Sequence, residues 1–226
     1  MASFRYEQFC PLARAAEILG ERWTLLVLRE LACGPQRYSD LRRRLPGLSS
    51  SVLSDRLTRL EERGLVARHN QPPPAPAALY QLTADGEALR PALHQLMRFG
   101  VRFLDPLSAG DHLEAEWLKV ALAAFARVGP LPRRSIAIHL PDGESEVVLR
   151  VTSGPRGTAV EAGSGPAEAR VRTTPLTLLG VLARQIDPLE AARSGAIEAS
   201  GDLAALRDLP DLFDLDDLTA RPARTG

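Results

Sequence analysis

Apolar residues recur at helical spacing through the first hundred positions. Leu12, Ala15, Ala16 and Leu19 mark one face of a helix from Pro11 to Leu19, with proline near its start. Gly20 interrupts it. Glu21 to Leu31 then reads as a second helix, with Trp23, Val27 and either Leu28 or Leu31 pointing inward. Gly34-Pro35 closes that helix. Tyr38, Leu41 and Leu45 are the stripe of a third, which Pro46-Gly47 breaks. Ser49 is the N-cap of a fourth, running from Ser50 to Gly64 with Leu53, Leu57 and Leu60 on one side. Its opposite side carries Ser51, Asp55, Thr58 and Glu62, flanked by Ser54 and Arg59, and Gly64 ends it.

Leu65–His69 and Leu79–Leu82 read as strands, separated by a stretch from Asn70 to Ala77 that holds four prolines. A two-stranded ribbon with a polar, proline-stiffened tip behind a helix pair is a wing. Thr83 caps a further helix starting near Ala84. On it Leu89, Leu93, Leu96, Gly100 and Leu104 repeat at close to seven-residue spacing, with Met97 beside them. A second copy of the chain would cover this stripe; packing on the C-terminal half is the alternative.

Pro106 and Gly110 mark a boundary, dividing the chain into domains at 1–105 and 112–217. Leu113 to Val128 reads as helix. Then the period changes from helical to alternating in Ser135–Leu140, Glu146–Val151, Thr158–Glu161 and Ala169–Arg172, with turn residues between, including Gly163-Ser164-Gly165-Pro166 as a hairpin. This predicts an antiparallel meander. Thr174-Pro175 and Asp187-Pro188 each open a helix, Gly195 closes the second, Ala196–Ser200 is a last strand and Asp202–Leu209 a last helix. The fold class is α+β, a winged helix-turn-helix domain followed by an antiparallel sheet covered by helices.

Composition narrows the function classes. Nothing in the 226 residues approaches the ~20 apolar residues of a membrane span, Met1–Arg5 opens no signal-peptide core, and two cysteines cannot staple a fold, so a cytoplasmic protein is expected. Net charge is zero but uneven: residues 37–68 hold eight Arg against four acids. Such a field attracts phosphate, although a solvated helix face would look the same. Lys119 is the only lysine, so the arginine bias is chain-wide. Two helices joined by a tight turn, the second small and polar at its exposed end, have the shape that enters a DNA major groove. Arg42, Arg43 and Arg44 are placed for phosphate. Arg56 and Arg59 could reach phosphate or a guanine edge, and an internal salt bridge suits Arg56 equally well. His69, His94, His112 and His139 show no ligand spacing, and no nucleophile–base pair, P-loop or dinucleotide glycine pattern is present. No metal, cofactor or enzymatic activity is expected.

The motifs Cys10-Pro11-Leu12-Ala13, Ile18-Leu19-Gly20-Glu21-Arg22-Trp23-Thr24, Arg37-Tyr38-Ser39-Asp40-Leu41, Leu48 to Leu57, Leu60 to Val66 and Tyr80 to Gly86 resemble the HxlR family of winged helix-turn-helix regulators, over roughly residues 8–104. The resemblance implies a homodimer on double-stranded operator DNA, with the recognition helix at Ser49–Arg63 and the wing tip near Asn70–Ala77. It nominates Arg37, Arg42, Arg43, Arg44, Ser49, Ser50, Ser51, Ser54, Asp55, Arg56, Thr58, Arg59, Arg68, Asn70 and Gln71 for DNA. It places dimerisation on the first helix, at Leu12, and on the helix after Thr83. Cys10, before the first helix, would be its redox sensor. Family members often carry a basic residue where Ser51 stands.

Leu176 to Leu182, Asp187 to Ile197 and Ser200 to Leu203 resemble the sterol-carrier-protein fold more weakly. That resemblance implies an apolar lumen for a fatty-acyl or sterol-like effector. Its candidate lining is Ile138, Val148, Leu176, Leu179, Leu182, Ile186, Leu189 and Ile197; a half that has lost its cavity and simply packs is the other outcome. The combined expectation is a dimeric regulator modulated by an apolar ligand. The rival is a lipid carrier whose winged half only makes dimers.

Overall fold

The computed structural model describes residues 5–70, 78–104, 111–143 and 145–215. The chain forms two compact units, 1–93 and 94–226.

The first unit begins with α1 (Pro11–Leu19) and α2 (Thr24–Ala32). The second helix starts three residues later than its periodicity predicts. Trp23 is the reason: its φ of 78° lies in the left-handed region, which costs a non-glycine residue about 1–2 kcal/mol. The chain turns there, and the indole packs against Gly47 while the Arg22 guanidinium sits 5.3 Å from the ring centroid. β1 (Gln36–Arg37), α3 (Tyr38–Arg44) and α4 (Ser50–Glu62) follow. Leu53, Leu57 and Leu60 of α4 are buried with Leu41, Leu45, Val27, Leu28 and Leu31, so the predicted stripe is the core of this unit. β2 (Val66–Asn70) and β3 (Ala78–Leu82) pair antiparallel from Val66↔Leu82 to Asn70↔Ala78, and β1 adds to the far side of β3. The wing is therefore three-stranded, in the order β1-β3-β2. Residues 71–77 lie outside the described residues, and with them Gln71 and the tip.

Thr83 caps the next helix as expected, its Oγ1 accepting from Gly86 N at 3.1 Å. That helix is not continuous. α5 (Ala84–Glu87) stops at a turn over Ala88 and Leu89 before α6 (Arg90–Gly100) begins. Pro91 explains the break, because it has no N–H to give to the Glu87 carbonyl.

In the second unit, two 3-10 turns at Val101–Phe103 and Ala115–Trp117 lead to α7 (Leu118–Phe125), a shorter helix than the predicted 113–128. The sheet holds β4 (Arg134–Asp142), β5 (Ser145–Gly154), β6 (Gly157–Ala162), β7 (Ala169–Arg172) and β8 (Glu198–Gly201), ordered β6-β5-β4-β7-β8. The first three strands are the expected meander. β7, however, pairs parallel with β4. Residues 163–168 are thus a crossover and not a hairpin: they pass over β5, where Gly165 lies close against the Arg150 side chain, and are tied to β4 by Ser135 Oγ donating to Pro166 O at 2.9 Å. Glycine at 165 suits a strap lying flat on a side chain.

α8 (Pro175–Leu182), α9 (Pro188–Ser194), α10 (Leu203–Asp208) and a 3-10 turn at Leu209–Leu212 share a core with Ile136, Ile138, Leu140, Leu149, Val151 and Val171, sealed by Phe213. Thr174, Asp187 and Asp202 accept from the first-turn amides of their helices, and Gly195 closes α9 with φ 80°. Arg134 of β4 donates to Asp208 of α10 at 2.7 and 3.0 Å, fastening sheet to helix. The second half of α6 belongs to this unit. Arg98 donates to Asp214 (3.3 Å) and Ala126 O (3.4 Å), lies over the Phe125 ring, and Met97 packs on the core.

Candidate nucleic-acid interface and apolar site

The polar end of α4 is ordered before any partner arrives. Ser49 Oγ accepts from Val52 N at 3.4 Å, so the N-cap read from sequence is made. Tyr38 of α3 donates its hydroxyl to Ser50 O (2.8 Å), and the same oxygen lies 3.2 Å from Ser54 Oγ. Arg42 reaches Ser50 Oγ at 3.3 Å. These contacts lock the angle between the two helices of the pair from its solvent side, opposite the leucine core. Ser50, Ser51, Ser54, Asp55 and Thr58 are exposed together along α4. Arg37, Arg42, Arg43 and Arg68 are exposed around them, whereas Arg44 is half-buried. Arg43 pairs with Asp40 at 3.2 Å, and Arg68 lies 5.9 Å from the Tyr80 ring centroid, which holds it along the wing. Asn70 ends β2, exposed.

Arg56 and Arg59 stand differently. Both are paired inside the unit, the salt bridge that sequence left open for Arg56. Arg56 Nη1 bridges Glu21 and Asp55, the latter at 2.6 Å, and its Nε donates to Arg22 O at 3.1 Å. Arg59 Nη1 meets Glu21 at 2.5 Å and its Nε meets Asp55 at 3.1 Å. Two carboxylates and two guanidiniums close a ring. The sequence pattern does not single out Glu21 as the partner of these arginines. No local signal reveals it, because its partners lie 35 and 38 positions further along the chain.

Two family profiles and several relatives match this sequence. The HxlR-like helix-turn-helix profile matches residues 18–108, and that of the SCP-2 sterol transfer family matches residues 113–214. The HTH-type transcriptional regulator YvaP of Bacillus subtilis (strain 168) is 38% identical over 100 residues, covering 44% of this chain and 93% of its own length. The chain belongs to the HxlR family of helix-turn-helix transcriptional regulators. A second relative from the same strain, the HTH-type transcriptional regulator YodB, is 31% identical over 98 residues, 43% of this chain and 88% of the relative. The solved reduced form of YodB is 29% identical, with a TM-score of 0.39 over 45% of this chain and 100% of that one. In this HxlR-family chain, residues 113–214 are similar to the SCP-2 family instead.

The remaining candidate residues divide as the fold dictates. Leu12 and Cys10 are exposed on and before α1. The seven-residue stripe splits: Leu93 is buried and Met97 packs inward, while Leu96, Phe99, Phe103 and Leu104 are 46–66% exposed. Gly100 is exposed. Leu89, in the turn before α6, is half-buried. The outward face is therefore the 96–99–103 row, and the Phe99 and Phe103 rings meet tilted, their centroids 5.0 Å apart.

Among the apolar-site candidates, Ile138, Leu182 and Ile197 are at most 2% exposed, inside the core. Leu179, Ile186 and Leu189 pack against it half-buried, and Leu176 is exposed. Gly180 allows this close packing, since a side chain there would strike Ile186 at 2.6 Å. Val148 does not belong with the others. It pairs with His139, one residue out of phase with Ile138↔Leu149, and alternation turns it to the opposite face of the sheet. That face is ionic: His139 Nδ1 lies 2.8 Å from Glu146, Arg172 donates to Glu146 at 3.0 Å, and Arg150 pairs with Glu161.

Proposed function

We propose that this HxlR-family regulator binds double-stranded operator DNA as a homodimer and answers to an apolar, fatty-acyl or sterol-like effector held by the 112–217 domain. The observation that carries the DNA reading is the pre-ordered serine end of α4, presented beside exposed Arg37, Arg42 and Arg68. Small side chains admit the helix to a groove, and the arginines supply phosphate contacts at its rim. The exposed row Leu96, Phe99 and Phe103, with Leu12 on α1, supplies apolar surface for a second copy. The similarity to the SCP-2 family, with Leu176, Leu179, Ile186 and Leu189 still accessible or half-buried around α8, supports the effector. Among the described residues no helix is long and apolar enough to cross a membrane.

The test is retention of promoter fragments across a salt series, with and without fatty acids. Affinity should fall with salt, with a log–log slope of about 0.9 per phosphate contact. Arg42→Ala and Arg68→Ala should each reduce that slope by about one. Phe99→Asp should shift sedimentation towards monomer and weaken retention. Lipid uptake without salt-dependent DNA binding would favour the carrier reading, which the SCP-2 similarity also supports.

A further inference from the structure

α4 presents an unusual surface for a helix meant for a polyanion. Its exposed positions are Ser50, Ser51, Ser54, Asp55, Thr58 and Glu62, so no cation faces outward freely along Ser50–Glu62. Its two arginines, Arg56 and Arg59, are 15% and 24% exposed and both are held by Glu21 and Asp55. Asp55 lies on the same helix. Glu21 does not: it reaches in from the elbow between α1 and α2.

From this arrangement we propose that Glu21 is an intramolecular stand-in for a DNA phosphate. It occupies Arg56 and Arg59 in the free protein, and its exchange for backbone phosphate sets how tightly the regulator binds. The inference rests on the DNA-binding reading above. A carboxylate and a phosphate oxygen offer a guanidinium the same acceptor geometry. Glu21 and Asp55 are 31% and 46% exposed, so the ring stands within reach of solvent and of an incoming anion. The surroundings permit the movement. A cavity of about 200 Å³ adjoins the ring, lined by Glu17, Ile18, Thr24, Leu60, Glu62 and Arg63 as well as Glu21, Arg56 and Arg59. No residue of α1 is buried, so the elbow can shift without opening the leucine core. The elbow is itself a joint, between Gly20 and the left-handed Trp23. Anything that moves α1 would therefore alter how firmly the two arginines are held.

The experiment uses the full chain and a labelled mixed-sequence duplex of 30 base pairs. Four proteins are titrated across a salt series: wild type, Glu21→Gln, Arg56→Gln/Arg59→Gln and the triple variant, with thermal unfolding of each. Glu21→Gln should bind about threefold to tenfold more tightly than wild type at moderate salt. The arginine pair variant should bind more weakly, with a salt slope reduced by up to about two. In the background lacking both arginines, Glu21→Gln should have no further effect, because the coupling runs through them. A folded Glu21→Gln that binds as wild type or more weakly overturns the proposal. So does a gain of equal size without the arginines, which would reflect net charge alone. Glu21→Ala, which removes the hydrogen bonds too, should move affinity in the same direction. Tight binding by wild type together with a flat response to Glu21→Gln refutes the exchange and leaves the regulator reading intact. Absence of binding by all four proteins refutes both.

Discussion

α4 and α8 are built on opposite plans. α4 buries Leu53, Leu57 and Leu60 and shows serine, threonine and acid on the other side. α8 is apolar nearly all round: Leu178, Val181 and Leu182 are buried, Leu179 is half-buried, and Leu176 is left exposed. A one-sided helix on a packed core is complete and offers its polar face to something wet. An all-round apolar helix with one side uncovered offers surface to something greasy. The first unit thus displays a polar face, and the second keeps most of its apolar residues inside a packed core. A polyanion can be read without opening the fold, whereas an apolar effector must enter among side chains that already touch.

The sharpest way to break this contrast lies within α8. Leu182→Ala empties a site that is 2% exposed, and should cost about 2–5 kcal/mol in chemical denaturation. Leu176→Ala, at an exposed position of the same helix, should cost less than about 0.5 kcal/mol. Their effects on a fluorescent fatty-acid probe should run the other way: Leu176→Ala weakens uptake in a protein of unchanged stability. Equal stability costs at the two positions would mean that α8 is covered on both sides, and the enclosed-site plan would fall.

On α4 the corresponding test is its cap. Ser49→Ala removes the acceptor for Val52 N and should cost about 1 kcal/mol. It also loosens Ser51, whose Oγ lies 3.2 Å from that of Ser49. On the proposed reading, in which the polar end of α4 meets the groove, DNA retention should fall by more than the stability loss explains. A loss of retention that merely tracks unfolding would reduce the serine end to a structural cap.

Caps were legible because they are local. Ser49, Thr83, Thr174 and Asp187 bond to amides two or three residues on, and a short window contains the whole interaction. The leucine stripes were legible for the same reason, since periodicity records which face is buried. Features set by distant partners were not. The pairing of β7 with β4 depends on a crossover whose glycines read equally well as a hairpin. The split of the 89–104 stripe needed both Pro91 and the docking of Met97 on a core drawn from residues 115–215. Val148 shares a strand with Leu149 and Val151, and only the register with β4 shows that it faces away. The ring at Glu21 is the clearest case. The sequence leaves a salt bridge open for Arg56 but names no partner for it, and none for Arg59, until a carboxylate from the α1–α2 elbow is placed beside both.

The smallest effect separates the two faces of the sheet. The Glu146 carboxyl is held below the usual carboxylate range by the hydrogen bond from His139 and then by that from Arg172. Asp208 is lowered likewise, by the hydrogen bond from Arg134. In each case the unfolded chain takes up its proton at a higher pH than the folded one. The stabilisation is therefore complete above the ordinary carboxylate value of about 4 and is lost as pH falls through the lowered folded value. Thermal unfolding of Glu146→Gln should lie slightly below that of wild type at pH 6, with the two curves converging as the pH falls through the lowered folded value. Because the His139–Glu146–Arg172 group is open to water, the gap at pH 6 should shrink in high salt, whereas the gap for Leu182→Ala should not. A Glu146→Gln gap that survives both acid and salt would show that this face, too, is held by packing, and the division of the sheet into an ionic and an apolar side would lose its energetic meaning.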